Sequence, residues 1–257
     1  MEKVLKMTAR IRTARGRGTI GVRALVGPTG VGKSAAATAL ARDTGAPVLV
    51  ADRIQCFTDL VVTSGRAADA HVLEVDRIWL SDRTVSDGDY ALGEASEDLL
   101  SRLGSLVTDR GLVVLEGGSI SLLLRFAELM ENLPYSVSVD LLPIFDKSYY
   151  SARQIARARK MLLPDSSGRS LLTEFAAAWR TPGQRRFAAS VSGLDSICEW
   201  CAKHSVEPEE VADVDLSEKM LGELSTMLGE RYAAHGFTQE RLFLKTFDHH
   251  VRNSPDA

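Results

Sequence analysis

Apolar residues fall along this chain in short blocks, and the spacing of those blocks changes near residue 145. Val22-Arg23-Ala24-Leu25-Val26 is a strand-length run that leads straight into Gly27-Pro28-Thr29-Gly30-Val31-Gly32. Ser34 to Asp43 is Ala-rich with no breaker before Gly45, which predicts a helix. Pro47 to Ala51 is a second buried strand closing on Asp52, and Leu112 to Leu115 a third, ending at Glu116-Gly117-Gly118. Between them Asp89 to Leu103 reads as a helix, with Leu92, Leu99, Leu100 and Leu103 as its inner face. Ser119 to Met130 continues as an apolar helix, and Ser136 to Leu142 as a fourth strand.

Strands alternating with helices over residues 20–145 predict an α/β fold whose parallel sheet is covered on both faces. After that the spacing is helical throughout. Tyr149 to Leu163, Leu171 to Trp179, Leu194 to His204 and Leu216 to Ala234 are separated by short polar turns such as Thr181-Pro182-Gly183. The expected organisation is a basic, disordered tail over 1–20 and a P-loop core over 21–145. A helical region packed on the sheet over 146–245 and a disordered end over 246–257 complete it. No internal repeat interrupts the chain.

Composition adds a setting. Of 257 residues, 45% are hydrophobic and 25% charged, ordinary values for a soluble globular protein. Residues 1–23 carry seven basic side chains and one acidic one, a net +6 that leaves −9 on the remainder of a chain whose formal charge is −3. An acidic body is a poor platform for tRNA, which needs a broad basic surface. No apolar run is long enough to span a membrane. Three cysteines, Cys56, Cys198 and Cys201, form no disulfide framework, and a reducing cytoplasm is the natural setting. Cys198 and Cys201 have C-x-x-C spacing with no second pair to complete a zinc site, and read as two small residues on an apolar helix.

The chemistry begins at Gly27 to Ser34, which fits G-x-x-x-x-G-K-[ST] between a strand and a helix. Gly27, Thr29, Gly30 and Gly32 shape a loop whose backbone N–H groups converge on an anion, and the following helix adds its positive end. Lys33 supplies a charge for phosphoryl oxygens, and Ser34 can hold Mg²⁺ through its hydroxyl. Such a loop binds a phosphate without naming the reaction, since kinases and NTPases also use one. Asp52 then stands at the carboxyl end of the second strand, where open α/β sheets place their ligands. A carboxylate there could orient a hydroxyl acceptor or take a proton from an amine. Thr63-Ser64-Gly65-Arg66 adds hydroxyls and a guanidinium suited to phosphate.

GPTGVGKS at 27–34, ADRIQC at 51–56, TSGR at 63–66 and LEGGSISLL at 115–123 together resemble the isopentenyltransferases, closest to the bacterial adenylate dimethylallyltransferases that make cytokinins. The tRNA branch typically reads Asp-Ser-x-Gln and Gly-Gly-Thr, where this chain has Asp52-Arg53-Ile54-Gln55 and Gly117-Gly118-Ser119. The resemblance implies transfer of a dimethylallyl group from dimethylallyl diphosphate, or its hydroxylated analogue, to the amine of AMP, with ADP and ATP as alternative acceptors. It places the diphosphate on the P-loop with Mg²⁺ on Ser34 and Arg157 alongside. Asp52 becomes the base, kept ionised by Arg53 or Arg66. Arg53, Thr63, Ser64, Arg66, Gly118 and Ser119 fall on the nucleotide side, and Ser192 and His235 at the positions that set donor specificity. The acidic body and short chain argue against a nucleic-acid partner, and a monomer is the expected assembly, with the oligomeric state left open by the sequence.

The chain departs from that family at three places. Leu141 to Phe145 replaces a basic cluster, Gly193-Leu194-Asp195 replaces Gly-Tyr-Arg, and Ser192 replaces an acidic partner of the histidine. Arg153, Lys147, Arg185 and Arg186 are the basic residues nearby in sequence. Prenylation of tRNA, a small-molecule P-loop kinase and a catalytically impaired nucleotide-binding relative are the alternative readings.

Overall fold

The computed structural model describes residues 20–66 and 75–252, so the basic run ahead of Ile20 lies outside the described residues. The central sheet has five strands in the order β3-β2-β4-β1-β5. They are β1 (Gly21–Val26), β2 (Val48–Val50), β3 (Arg77–Trp79), β4 (Leu112–Gly117) and β5 (Ser136–Leu141). Every pairing is parallel, as the alternation predicts. Val22, Ala24 and Val26 of β1 join one core cluster and Leu25 the other, which is why the strand reads as a continuous apolar run.

Helix α1 (Lys33–Thr44) covers the smaller cluster through Ala37, Leu40 and Ala41. The short α2 (Val61–Ser64) precedes the undescribed stretch 67–74. Helices α3 (Leu92–Arg110) and α4 (Ile120–Leu129) lie against the larger cluster. The helical half comprises α5 (Lys147–Leu162), α6 (Leu171–Arg180), α7 (Arg185–Ser190), α8 (Leu194–His204) and α9 (Glu218–Arg252). Asp146 caps α5 by accepting from the Tyr149 amide at 3.0 Å. Among the described residues no helix is long and apolar enough to cross a membrane. Cys201 is buried and Cys198 half-buried on α8, both as free thiols.

Three expectations are corrected. Strand β3 was not predicted, because it is three residues long and opens with a charged Arg77 that faces inward. Helix α3 begins later and ends later than expected. Asp89 stays outside it to face Arg53, Leu92 is exposed, and Ala95, Leu99, Leu103 and Val107 form the buried face. Helix α9 spans 35 residues to Arg252, well past both the predicted helix end at Ala234 and the predicted tail start at 246. It continues through Gly236 because that glycine makes room for a neighbour. A Cβ at Gly236 would overlap Tyr150 Oη, and one at Gly229 would overlap the backbone of Ile155. The two glycines let α5 lie close against α9, at a helix-propensity cost of about 1 kcal/mol each.

Candidate active site

In-register pairing aligns Val26 of β1, Gly117 of β4 and Leu141 of β5, and Val50 of β2 with Glu116. The loops leaving these strands therefore open at one edge of the sheet, and the site is assembled there. In the P-loop, Gly30 (φ 73°) and Gly32 (φ 104°) take left-handed backbone conformations that let the chain curl.

Thr29 is the most tightly held residue of that loop. Its carbonyl accepts from Tyr150 Oη at 2.8 Å and from Gln154 Nε2 at 3.4 Å. Its amide donates to Gln239 Oε1 at 2.7 Å, and its hydroxyl accepts from an Arg157 guanidinium nitrogen at 2.9 Å. Three of these partners come from α5 and one from α9, so the helical half positions the phosphate loop directly. Arg157 also lies over the Tyr232 ring, 5.8 Å from its centroid. Lys33 is buried at 8% exposure and donates to the Pro28 carbonyl at 2.7 Å. Burial lowers its pKa to about 8, against the opposing pull of the Glu116 and Asp52 carboxylates, and Arg157 lowers it further.

Asp52 divides its two oxygens. Oδ1 accepts from the Ile54 amide at 3.0 Å and the Gln55 amide at 3.4 Å, the first two residues of the 3₁₀ turn Ile54–Cys56. Oδ2 faces Gly118, where a Cβ would stand 3.6 Å from it, 3.7 Å from Lys33 Nζ and 3.3 Å from Gln239 Nε2. Burial raises the Asp52 pKa, and the Gln55 amide, Lys33 and the Ile54 amide pull it back down, while Glu116 adds to the rise. The expectation that Arg53 or Arg66 keeps Asp52 ionised is thereby corrected, since Lys33 is the cation that acts on it. Arg53 turns to Asp89 and the Tyr90 carbonyl. Arg66 pairs with Asp82, donates to the Gln55 carbonyl at 2.9 Å and stacks over Trp79 at 4.3 Å.

Thr63 is corrected as well. It is buried, and both its amide and its hydroxyl donate to Glu174 at 2.8 Å, so it ties α2 to α6 rather than lining the cleft. Ser64 Oγ accepts from the Arg66 amide at 3.2 Å. Gly118 lies in the cleft with its carbonyl accepting from Gln239 at 2.6 Å, and Ser119 occupies the N-cap position of α4 with an extended backbone and no side-chain capping bond. His235 is half-buried, and burial followed by the charge of Lys33 lowers its pKa. Ser192 is exposed in the turn before α8, next to a Gly193 whose Cβ would overlap the Tyr232 ring. Of the basic residues near the departures, Arg185 pairs with Glu209, Lys147 lies over Phe237 and Arg153 over Tyr149.

Ser34 Oγ donates to Glu116, 3.1 Å from Oε1 and 3.4 Å from Oε2. Glu116 is 1% exposed and is neutralised by Arg77. With its proton committed to Glu116, the Ser34 hydroxyl has its lone pairs free for a cation. Among the described residues no group of three or more His, Cys, Asp or Glu side chains could hold a metal unaided. A magnesium ion fits such a site, because it commonly takes one or two protein oxygens and fills its sphere with phosphate oxygens and water.

Sequence reading missed Glu116, Arg77, Tyr150, Gln154 and Gln239. Glu116 is the next-to-last residue of a central strand and Asp52 lies just past the end of another, and a carboxylate at that edge was the available signal. Gln239 gives no such signal, lying mid-helix in a long α9.

Comparison with known proteins agrees with the geometry. The family model for isopentenyl transferase matches residues 20–253. An adenylate dimethylallyltransferase of Rhodococcoides fascians is 54% identical over 228 residues, covering 88% of this chain and 89% of that protein. One from Allorhizobium ampelinum is 32% identical, covering 84% and 91%. A tRNA isopentenylpyrophosphate transferase structure from Bacillus halodurans superposes with a TM-score of 0.65 at 15% identity, covering 93% of this chain and 88% of that one. That last likeness concerns the fold alone. Cradle, carboxylate and sequence kinship agree: the chain belongs to the isopentenyl transferase family.

Proposed function

We propose that this prenyltransferase moves the dimethylallyl group of dimethylallyl diphosphate to the exocyclic amine of AMP, in cytokinin synthesis. The observation that carries the reading is the convergence of Asp52 Oδ2 and Lys33 Nζ on Gly118, which puts a base beside the anion cradle. The amine nitrogen bonds to the allylic carbon, the carbon–oxygen bond to diphosphate breaks, and the amine proton passes to Asp52 and then to water. Lys33 and Arg157 take up the charge that develops on the departing diphosphate. Thr29 accepts from Arg157, which leaves its own hydroxyl proton to donate to a leaving oxygen. Ser34 would hold a magnesium ion through its hydroxyl, and that ion would supply further charge neutralisation to the diphosphate.

The curated relatives are named for adenylate as acceptor. The acidic body is consistent with a nucleotide rather than tRNA, and the free cysteines with a cytoplasmic setting. A monomer is the simplest assembly for a cleft built within one chain. A role for His235 and Ser192 in distinguishing the hydroxylated donor from the plain one belongs to the same proposal. The test is incubation with AMP, dimethylallyl diphosphate and Mg²⁺, read by mass, with ADP, ATP, tRNA and the hydroxylated donor in parallel. Prenylated AMP is expected. Product on tRNA alone would give the reaction to the tRNA branch, and phosphoryl transfer from ATP would make the protein a kinase.

A further inference from the structure

We infer that Gln239 is a positioning residue for prenyl transfer, fixing the spacing between the phosphate cradle and the base; the kinetic part of this rests on the function proposed above. Gln239 is 2% exposed and uses both ends of its side-chain amide. Oε1 accepts from the Thr29 amide at 2.7 Å, and Nε2 donates to the Gly118 carbonyl at 2.6 Å. The partners fix the orientation of the amide, since one is a donor and the other an acceptor.

The two ends belong to different loops. Ladder pairing between β1 and β4 runs up to Val26 and Gly117. Thr29 and Gly118 stand beyond that last pair, where no strand ladder holds the chains together. Gln239 spans the gap from a third element, α9. The next residue anchors that element, because Glu240 Oε1 accepts from the Ile144 amide at 2.6 Å in the loop after β5. Consecutive residues of one helix therefore join the loops after β1, β4 and β5. The bridge also passes beside the chemistry, as a Cβ on Gly118 would touch Gln239 Nε2, Asp52 Oδ2 and Lys33 Nζ together.

Each substrate half-site keeps its own binding groups when this bridge is removed, but their separation is no longer fixed. A misplacement of about 1 Å between reacting groups costs about 10²-fold in rate. Gln239→Met preserves length without hydrogen bonds. It is expected to lower kcat by about 10²-fold and to leave the dissociation constants of inorganic diphosphate and of AMP within about threefold of wild type. Independently of activity, the Thr29 amide should exchange with deuterium at least about tenfold faster in the variant, as its hydrogen bond is lost.

A kcat within about twofold of wild type overturns the inference. So does diphosphate binding that weakens in proportion to kcat, which would make Gln239 part of the cradle itself. Should Gln239→Met fail to fold, Gln239→Glu retains the acceptor for Thr29 and loses the donor to Gly118, and the same comparison applies. Loss of fold in both variants assigns Gln239 to the fold and overturns the inference too. If wild type does not prenylate AMP, the proposed function fails on that result alone, while amide exchange and diphosphate binding still judge the bridge.

Discussion

Asp52, from the turn after β2, and Lys33, from the start of α1, converge on Gly118, so that a methyl group on that glycine would lie 3.6 Å from Asp52 Oδ2 and 3.7 Å from Lys33 Nζ. Each perturbs the other in the direction its own function needs. The ammonium pulls the buried carboxylate towards its ionised form, and the carboxylate holds the buried ammonium charged. A carboxylate and an ammonium thus share one small volume, which suits a reaction that removes a proton at one end and releases an anion at the other.

Replacing Asp52 separates its two tasks. Asp52→Asn keeps an oxygen for the Ile54 and Gln55 amides and removes the base. The fold should be retained, kcat should fall by about 10²–10⁴-fold, and inorganic diphosphate should bind within about threefold of wild type. Asp52→Ala loses those amide contacts as well, and its unfolding free energy should drop by about a further 1 kcal/mol relative to Asp52→Asn. Single-turnover kinetics, calorimetric titration with diphosphate and denaturant unfolding separate these effects. Diphosphate binding lost in Asp52→Asn in step with kcat would make the residue structural.

The sheet was legible because its central strands are buried on both faces and leave unmistakable apolar runs, and the phosphate loop because glycine spacing is a local signal. Asp52 was legible for a related reason, as a carboxylate ending such a run. What escaped was whatever depends on a distant partner. Arg77 reads as a surface charge until Glu116 is placed beside it. Thr63 and Arg66 sit in a motif that suggests nucleotide contact, yet Glu174 and Asp82 claim them across 111 and 16 residues of chain. Gly236 reads as a helix end, and only the Tyr150 side chain explains why the helix passes through it.

The pH dependence follows from the same two groups. On the proposed function Asp52 must be ionised to accept a proton, and burial raises its pKa, so activity is expected to fall as pH drops through a value above the ordinary 3.8. On the same reading Lys33 must be charged to hold diphosphate, and its pKa is lowered to about 8, so donor capture is expected to fall as pH rises through that region. A plot of kcat/KM for the donor against pH is expected to be bell-shaped, with its alkaline limb well below the ordinary lysine value of 10.5. Lys33→Arg, which stays charged, should flatten the alkaline limb even where it lowers the rate. An alkaline limb unchanged in Lys33→Arg would assign it to another group.

The Arg77–Glu116 pair is buried at both ends, with side chains 3% and 1% exposed. Arg77→Ala leaves Glu116 as an uncompensated charge beneath the phosphate loop, which should cost about 3–5 kcal/mol of stability. Arg77→Met combined with Glu116→Leu removes both charges and should recover most of that loss. The double variant nevertheless deprives Ser34 of the acceptor for its hydroxyl proton. Thermal unfolding should therefore return towards wild type while Mn²⁺ binding in the presence of diphosphate, followed by electron paramagnetic resonance, stays weakened. Recovery of metal binding together with stability would show that Glu116 does nothing for the cation.

Three glycines spaced seven residues apart along α9 should respond to the same substitution with different signs. A Cβ at Gly222 meets nothing within 4 Å, so Gly222→Ala removes a flexible residue from a helix interior at no steric cost and should stabilise the protein by about 0.5–1 kcal/mol. A Cβ at Gly229 would run into the Ile155 backbone, which cannot yield without moving α5, and Gly229→Ala should destabilise by about 1–3 kcal/mol. Gly236→Ala meets the Tyr150 side chain instead, and the cost is of similar size but differently relieved. Tyr150→Leu should restore most of the stability lost in Gly236→Ala, and should leave Gly229→Ala unrelieved. It will not restore function in step, because Tyr150 Oη donates to the Thr29 carbonyl at 2.8 Å and the phosphate loop loses that support. Denaturant unfolding of the single and double variants, with donor KM measured alongside, distinguishes close helix packing from simple helix propensity. Equal stabilisation at all three glycines would mean that propensity alone decides.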